Sequence, residues 1–475
     1  MRFQWNGCPI EGNAGDTIAV ALWRNGIQAI GRSRKRRRPL GGFGLPIQGT
    51  LVTVNGQPNV RADHTVAESG MDVRRQGSWS LVGFDFSSLA RCIPARWTRS
   101  GFERPYWLRS GTRRFELWER LLMNLAGDAQ PPAVRVPAPE GTRWDGDVVV
   151  IGGGPAGVRA ANEAVATGLK TCLVTRSTNI GSYASHFGPL HSQLDTRVYL
   201  LTEHEAAGVY RRGKVVLAAP ISTHVGAAVL VCTRLVIATG RESVCPLVPG
   251  NDLPGVIDAR TALRWAPALG AALGPAIVIG TGMEPRIAEL LARDGVNIAM
   301  VASAAALEGI LGRNAVRAAW VNGRKVVCRS VIHAGPWLAN SAISFQARAS
   351  GMLQLAAENV SPDVVTVGSA VAGSDLLPIV RSGDLSRVTV CACMDVSARE
   401  IVDRVRDGEL QIEELKRVTG CGMGPCQGFP CWEQMRSLIQ QTSGFPITDL
   451  PAFRPPCRTI TVAQAAGIDG LLEVE

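Results

Sequence analysis

No apolar run among the 475 residues is long enough to span a bilayer, and Met1-Arg-Phe-Gln-Trp5 lacks the basic-then-apolar order of a signal peptide. A cytoplasmic protein without a membrane span is therefore expected. Histidine is scarce: His64, His186, His191, His204, His224 and His333 are scattered, and none belongs to a nucleophile-base-orienter pattern. No catalytic residue is assigned, and each histidine is expected to be structural, with His333, beside Gly335-Pro336, the least ordinary. The net charge of +10 is densest at Arg32-Ser-Arg-Lys-Arg-Arg-Arg38, but no helix-turn-helix, zinc-finger or aromatic-platform pattern surrounds that run. Nucleic-acid binding is not expected, and the run reads as a loop facing an anionic nucleotide or an acidic partner subunit. Twelve cysteines over this length do not make a disulfide scaffold, so the thiols are expected reduced.

Four of those cysteines are grouped. Cys391-Ala-Cys393 and Cys426-Gln-Gly-Phe-Pro-Cys431 are separated by about thirty residues, a spacing that reads as one thiolate site for a [2Fe-2S] cluster or for zinc. Between the pairs, Asp395 or Ser397 can cap a helix with Ile401, Val402 and Val405 on one face. Leu410, Ile412, Leu415 and Val418 continue a second amphipathic stretch up to the break at Gly420-Cys-Gly-Met-Gly-Pro425. Cys421/Cys426 is a competing second pair. Cys426/Cys431 is preferred because backbone N–H groups beyond the glycine break can bond sulfur.

The nucleotide signal is Asp147-Val-Val-Val-Ile151 followed by Gly152-Gly-Gly154-Pro155-Ala156-Gly157, a buried strand turning into a helix that should begin near Val158. Gly152 permits the turn, Gly154 lets backbone approach a pyrophosphate, and Gly157 allows close packing of helix on strand. The acidic residue that would hold ribose hydroxyls is replaced by Thr175, and Arg176 follows it, which leaves FAD, NAD(P) and a mononucleotide open. Leu235-Val-Ile-Ala-Thr239-Gly240 and Val364-Val-Thr-Val-Gly368-Ser369 look like the remaining strands of a two-dinucleotide-binding-domain flavoprotein. Ala276-Ile-Val-Ile-Gly280-Thr-Gly282-Met-Glu-Pro285 opens a second nucleotide-type unit, with proline where its third glycine would stand.

The front of the chain reads as a small β-rich module. Arg2-Phe-Gln-Trp5 and Cys8-Pro-Ile10 bracket an Asn6-Gly7 turn, Ile18–Asn25 forms a helix, and a second hairpin turns at Asn55-Gly56. Cys8 is expected in the core. The stretch from Gly41 to Asp63 resembles the plant-type ferredoxin loop, with Gly41, Pro46, Gly49 and Asp63 standing where the cluster cysteines would be. A ferredoxin-like scaffold without a cluster is expected. A helix at Phe115–Leu125 and a proline-rich linker at Pro131–Pro139 then lead to the nucleotide unit.

This order resembles the alpha-type subunits of the heteromeric sarcosine oxidase, opine oxidase, hydrogen cyanide synthase and hydroxyproline dehydrogenase group. Its specific parts are Gly15-Asp-Thr17, Pro58-Asn-Val-Arg-Ala62, the Gly152–Gly157 turn, Ala238-Thr-Gly240, His333-Ala-Gly-Pro-Trp337 and the Cys391–Cys431 module. The resemblance implies an α/β, two-dinucleotide-binding-domain flavoprotein fold, preceded by a degenerate β-grasp ferredoxin-like domain and followed by a small helical four-Cys [2Fe-2S]-type domain. The expected divisions are 1–92, a connector at 93–145, the dinucleotide-binding domains at 146–384 with a second unit inserted at about 256–345, the four-Cys domain at 385–445, and a tail at 446–475. Gly152, Gly154, Pro155, Ala156, Gly157, Thr175, Arg176, Thr239, Gly240, Gly368 and Ser369 are the expected contacts to FAD or a related adenine nucleotide. Cys391, Cys393, Cys426 and Cys431 are the expected cluster ligands. The resemblance further implies an FAD-containing beta subunit of amine-oxidase type, FMN at the subunit interface and a small ferredoxin-like third subunit. In that setting this chain relays electrons from amine or amino-acid oxidation performed next door. Because the chain stops at Glu475, without the folate-binding extension of sarcosine oxidase alpha, coupling to tetrahydrofolate is not expected. A stand-alone NAD(P)H-dependent reductase and a redox-silent zinc scaffold are the competing readings.

Overall fold

The computed structural model describes residues 1–33, 36–42, 50–76, 80–81, 84–85, 111–126, 137–189, 192–210, 215–221, 225–340, 342–349, 363–371, 384–424, 426–445, 456–458 and 460–471. Arg34, Lys35, Pro46, Gly49, His191, His224 and linker residues 131–136 lie outside them. Among the described residues no helix is long and apolar enough to cross a membrane.

The first module is a five-stranded sheet in the order Cys8–Glu11, Arg2–Trp5, Asp72–Arg75, Leu51–Val54, Gln57–Arg61. The outer pairs are antiparallel hairpins, while Arg2–Trp5 runs parallel to Asp72–Arg75. Asn6 and Gly7 take φ of +49° and +82°, the left-handed pair that a two-residue hairpin needs. The helix Ile18–Arg24, capped by the Thr17 hydroxyl, buries every residue from Ile18 to Trp23. Cys8 is exposed, at the start of a short strand in which Ile10 is the buried residue.

The nucleotide module is a parallel sheet ordered Tyr199–Leu201, Thr171–Val174, Val148–Ile151, Arg234–Ile237, Val364–Thr366. Its central strands are buried on both faces, as the continuous Val/Ile/Leu runs require. Between Ile237 and Val364 the chain leaves to build a second parallel sheet, Val256–Asp258, Ser330–Ala334, Ala276–Gly280, Ile298–Ser303, and returns. The first helix begins at Pro155, three residues before the expected Val158, because proline needs no N–H partner at a helix start. Pro285 plays the same part at the start of Glu284–Arg293.

The cysteine module joins a two-stranded pair, Thr389–Cys391 with Val396–Ser397, to the helices Ala398–Arg406, Ile412–Thr419 and Cys431–Ser443. Ser397 rather than Asp395 caps the first helix, in a reciprocal box with Glu400, and Gly420 ends the second in the left-handed conformation. Ile401, Val402, Val405, Ile412 and Leu415 face the core as expected, but Val418 is exposed.

Candidate functional site

Five cysteine sulfurs converge between the strand Thr389–Cys391 and the glycine break before Cys431–Ser443. Cys393 Sγ lies 3.0 Å from Cys426 Sγ and 3.4 Å from Cys391 Sγ; Cys426 Sγ lies 3.9 Å from Cys391 Sγ and 3.6 Å from Cys431 Sγ. Cys421 joins the group by thiol contacts to Cys391 and Cys431. All five are buried. Glycines make the approach feasible: a Cβ on Gly424 would stand 2.7 Å from Cys393 Sγ, and Gly422 donates its N–H to Cys391 Sγ at 3.4 Å. Hydrogen bonds from Cys393, then Cys421, Cys426 and Cys431, hold the Cys391 thiol well below its ordinary pKa, while the other four are pushed well above theirs. Sulfurs buried this close together repel one another when ionised, and a positively charged soft centre offsets that repulsion, so the donor set fits a metal or cluster.

The glycine turn opens on a cavity of about 480 Å³. A Cβ on Gly152 would stand 2.3 Å from the Ala238 carbonyl oxygen, and one on Gly157 would stand 1.8 Å from that of Gly152, whereas Gly154 meets nothing within 4 Å. Gly152 and Gly157 therefore allow the close packing of turn, helix and strand, and the space beside Gly154 is open. Gly152, Gly154, Pro155, Ala156, Thr175, Arg176, Thr239, Gly240 and Ser369 line the cavity; Gly157 and Gly368 do not. Gly368 closes against Ala156 from behind, with φ of +66°. Thr239 Oγ1 donates to the Asn340 carbonyl at 2.8 Å.

A charged wall missed by sequence reasoning completes this site. Glu205 accepts from Arg458 at 2.9 Å and lies 3.8 Å from Arg61 and 4.0 Å from Arg176, while Arg176 pairs with Glu242 at 3.1 Å. Burial opposes ionisation of Glu205, but Arg458, Arg61 and Arg176 outweigh it and hold the carboxyl down at about 2. Arg176, Tyr183, Glu242 and Arg260 also line a second cavity of about 330 Å³, whose far wall includes Cys426 and Phe429. No local motif signals this wall, since its members come from distant strands.

Part of the basic run is paired within the chain. Among its described residues, Arg36 pairs with Glu400 at 3.2 Å and Arg38 with Asp395 at 2.6 Å and with Asp252, all of this same chain. At the degenerate ferredoxin loop, Asp63 is paired to Arg61 at 2.8 Å, so an ion pair occupies the neighbourhood of a lost ligand position.

Two of the described histidines have polar partners within the chain. His333 Nδ1 meets the Ser243 hydroxyl at 3.0 Å, and His64 lies beside Asp63 at 3.4 Å. Burial pushes both imidazoles down to about 4, from 6.5. The unfolded chain takes up these protons below 6.5 but the folded chain only below about 4, so stability is full above 6.5 and falls as pH drops through that window. The loss is at most about 1.4 kcal/mol per pH unit for each imidazole. Thermal melting between about pH 7 and pH 5 should show this slope, and H333N should flatten it.

Three families match in chain order. Residues 1–78 match a 2Fe-2S iron-sulfur cluster binding domain, 146–319 match pyridine nucleotide-disulphide oxidoreductase, and 389–441 match a BFD-like [2Fe-2S] binding domain. The alpha subunit of sarcosine oxidase from Rhizobium meliloti (strain 1021) is 26% identical over 378 residues, covering 70% of this chain and 38% of that protein. An opine oxidase subunit of the same organism is 34% identical over 83 residues, 17% of this chain and 18% of that protein. The chain is similar to these subunits over the residues matched. It spans well under half the length of either. L-proline dehydrogenase from P.horikoshii shares the fold, with a TM-score of 0.73 over 98% of this chain and 97% of that one at 19% identity. The chain thus carries a ferredoxin-like domain, a central FAD-binding oxidoreductase-type domain and a BFD-like [2Fe-2S] domain. The first has no cysteine at its four loop positions, so the thiols for a cluster lie in the last.

Proposed function

We propose that this chain is the electron-relay component of a heteromeric, flavin-dependent amine or amino-acid dehydrogenase. Its role is to carry electrons from a partner FAD subunit, the seat of oxidation at the substrate's carbon–nitrogen bond, toward an external acceptor. The observation that carries this reading is the second cavity, which Arg176, Tyr183 and Arg260 share with the nucleotide site while Cys426 forms its far wall. One compartment therefore touches both the nucleotide pocket and a cluster ligand. A flavin and a [2Fe-2S] centre would supply two-electron and one-electron transfer when bound.

In this reading Gly152, Gly154 and the start of the Pro155 helix receive the pyrophosphate, with Thr239 and Ser369 on the opposite wall. Cys391, Cys393, Cys426 and Cys431 hold the cluster, and Trp432 fixes the loop by donating from its indole to the Cys421 carbonyl at 3.2 Å. The Arg458–Glu205–Arg61 network keeps its charges satisfied inside the junction. No group of this chain is assigned to substrate chemistry.

Purification from the native host tests the proposal. Expected are a companion FAD polypeptide, identified by mass spectrometry, and bleaching of the complex's visible absorption by an amine or amino acid but not by NAD(P)H. A chain that purifies alone and whose bound flavin is bleached by NAD(P)H would instead be a self-contained reductase.

A further inference from the structure

The ferredoxin-like module has no thiolates at its own loop, yet it sends one side chain to the other cluster site. Arg38 stands immediately before the strand Pro39–Gly41. Its guanidinium donates to Asp395 Oδ1 at 2.9 Å from Nε and 2.6 Å from Nη2, and from Nη1 to Asp252 and to Thr389 Oγ1. The strand is bulged between Thr389 and Cys391, and Arg38 lies near enough to Cys391 to attract its thiolate. Asp395, fully buried, also accepts the Arg36 backbone N–H at 2.8 Å, and it occupies a left-handed position with φ of +58° two residues after Cys393. Asn251 locks the same strand from the side of the inserted unit, through paired bonds of 2.8 and 2.9 Å to Thr389.

Three modules thus meet at one guanidinium beside the cysteine nest. A guanidinium and a buried carboxylate therefore flank the strand that carries Cys391, where burial weakens the screening of their charges.

We propose that Arg38 is a positioning and tuning residue for the cluster: the ferredoxin-like module that has no cluster of its own sets, through this one side chain, the reduction potential of the cluster in the cysteine module. The inference rests on the cluster assignment to Cys391, Cys393, Cys426 and Cys431 and not on the relay function. One-electron reduction adds a negative charge to the site, with no bond made or broken. A neighbouring guanidinium stabilises the reduced form and raises the potential, and a neighbouring carboxylate lowers it.

The test is a dye-mediated redox titration of the full chain under dithionite, followed by visible absorption and by the EPR signal of the reduced cluster. R38Q should lower the midpoint potential, R38K should stay near the wild type, and D395N should raise it. R38Q and D395N break the same bond, so a merely structural clamp predicts a shift of one sign, or loss of cluster, in both. Shifts of opposite sign establish the tuning role. Equal potentials in the three variants, shifts of the same sign, or cluster loss in R38Q and D395N alike overturn it. A wild-type chain that binds no iron overturns the inference and the cluster assignment together, whereas a cluster with unmoved potentials overturns the inference alone.

Discussion

Cys426→Ser removes the iron and the visible absorption of the purified chain, whereas Cys421→Ser leaves both at wild-type levels. The asymmetry follows from where the two sulfurs sit. Cys426 is the hub, within 3.0 to 3.9 Å of Cys393, Cys431 and Cys391. Cys421 touches Cys391 and Cys431 but is anchored through its carbonyl to Trp432, on the near side of the glycine break. A serine hydroxyl is a hard, weakly acidic donor and does not replace a thiolate on a soft centre. Because centre and module fold together, C426S should also lower the melting temperature of the module, while C421S should not. Iron and sulfide analysis with the visible spectrum decides the matter. Iron retained in C426S and lost in C421S would make Cys421 the ligand and remove the case for the Cys426/Cys431 pair.

Gly157→Ala should cost about 3 kcal/mol of stability and abolish nucleotide binding, because the new methyl has nowhere to go. Its Cβ would stand 1.8 Å from the Gly152 carbonyl oxygen and 3.3 Å from Ala238 Cβ. Gly152 cannot yield, since it is wedged at φ of +117° against the Ala238 carbonyl. Helix and strand must separate, and the phosphate-facing turn opens with them. Gly154→Ala is the informative companion. That position has φ of −79° and open space around it, so stability should change by no more than about 0.5 kcal/mol. Nucleotide affinity should nevertheless fall, because the added methyl intrudes on the cavity that Gly154 lines. Denaturant melts together with equilibrium titration of FAD separate the two outcomes. Equal loss of stability in both variants would contradict the packing argument for Gly157.

The parts of the site visible in the sequence are those whose chemistry is local. Six residues encode strand, turn and helix start at Gly152–Gly157, and two short runs encode the sulfur nest. Steric demands on neighbouring residues leave few alternatives there. The helix starts at Pro155 because proline's missing N–H is costless at that place, a detail the glycine spacing does not report. The Arg458–Glu205–Arg61 wall is invisible in the sequence, since each member is an ordinary charged residue until two sheets and a tail bring them together. The pairing of the basic run within the chain is hidden for the same reason. Its density suggests an external anion, but the acids that Arg36 and Arg38 answer, Asp252, Asp395 and Glu400, lie more than two hundred residues away in sequence. Val418 shows the limit of periodicity in a short helix, where one position decides which side faces out.

The apolar interior does not respect the module boundaries. Trp23, Leu22 and Phe3 of the first module share one continuous core with Leu263, Ile287 and Leu291 of the inserted unit, and Trp23 donates its indole N–H to the Ala272 carbonyl at 2.9 Å. The cysteine helices likewise share a core with the sheet that carries the glycine turn. Excising the front piece would strip the inserted unit of much of its lining, so the two are coupled mechanically and should melt together.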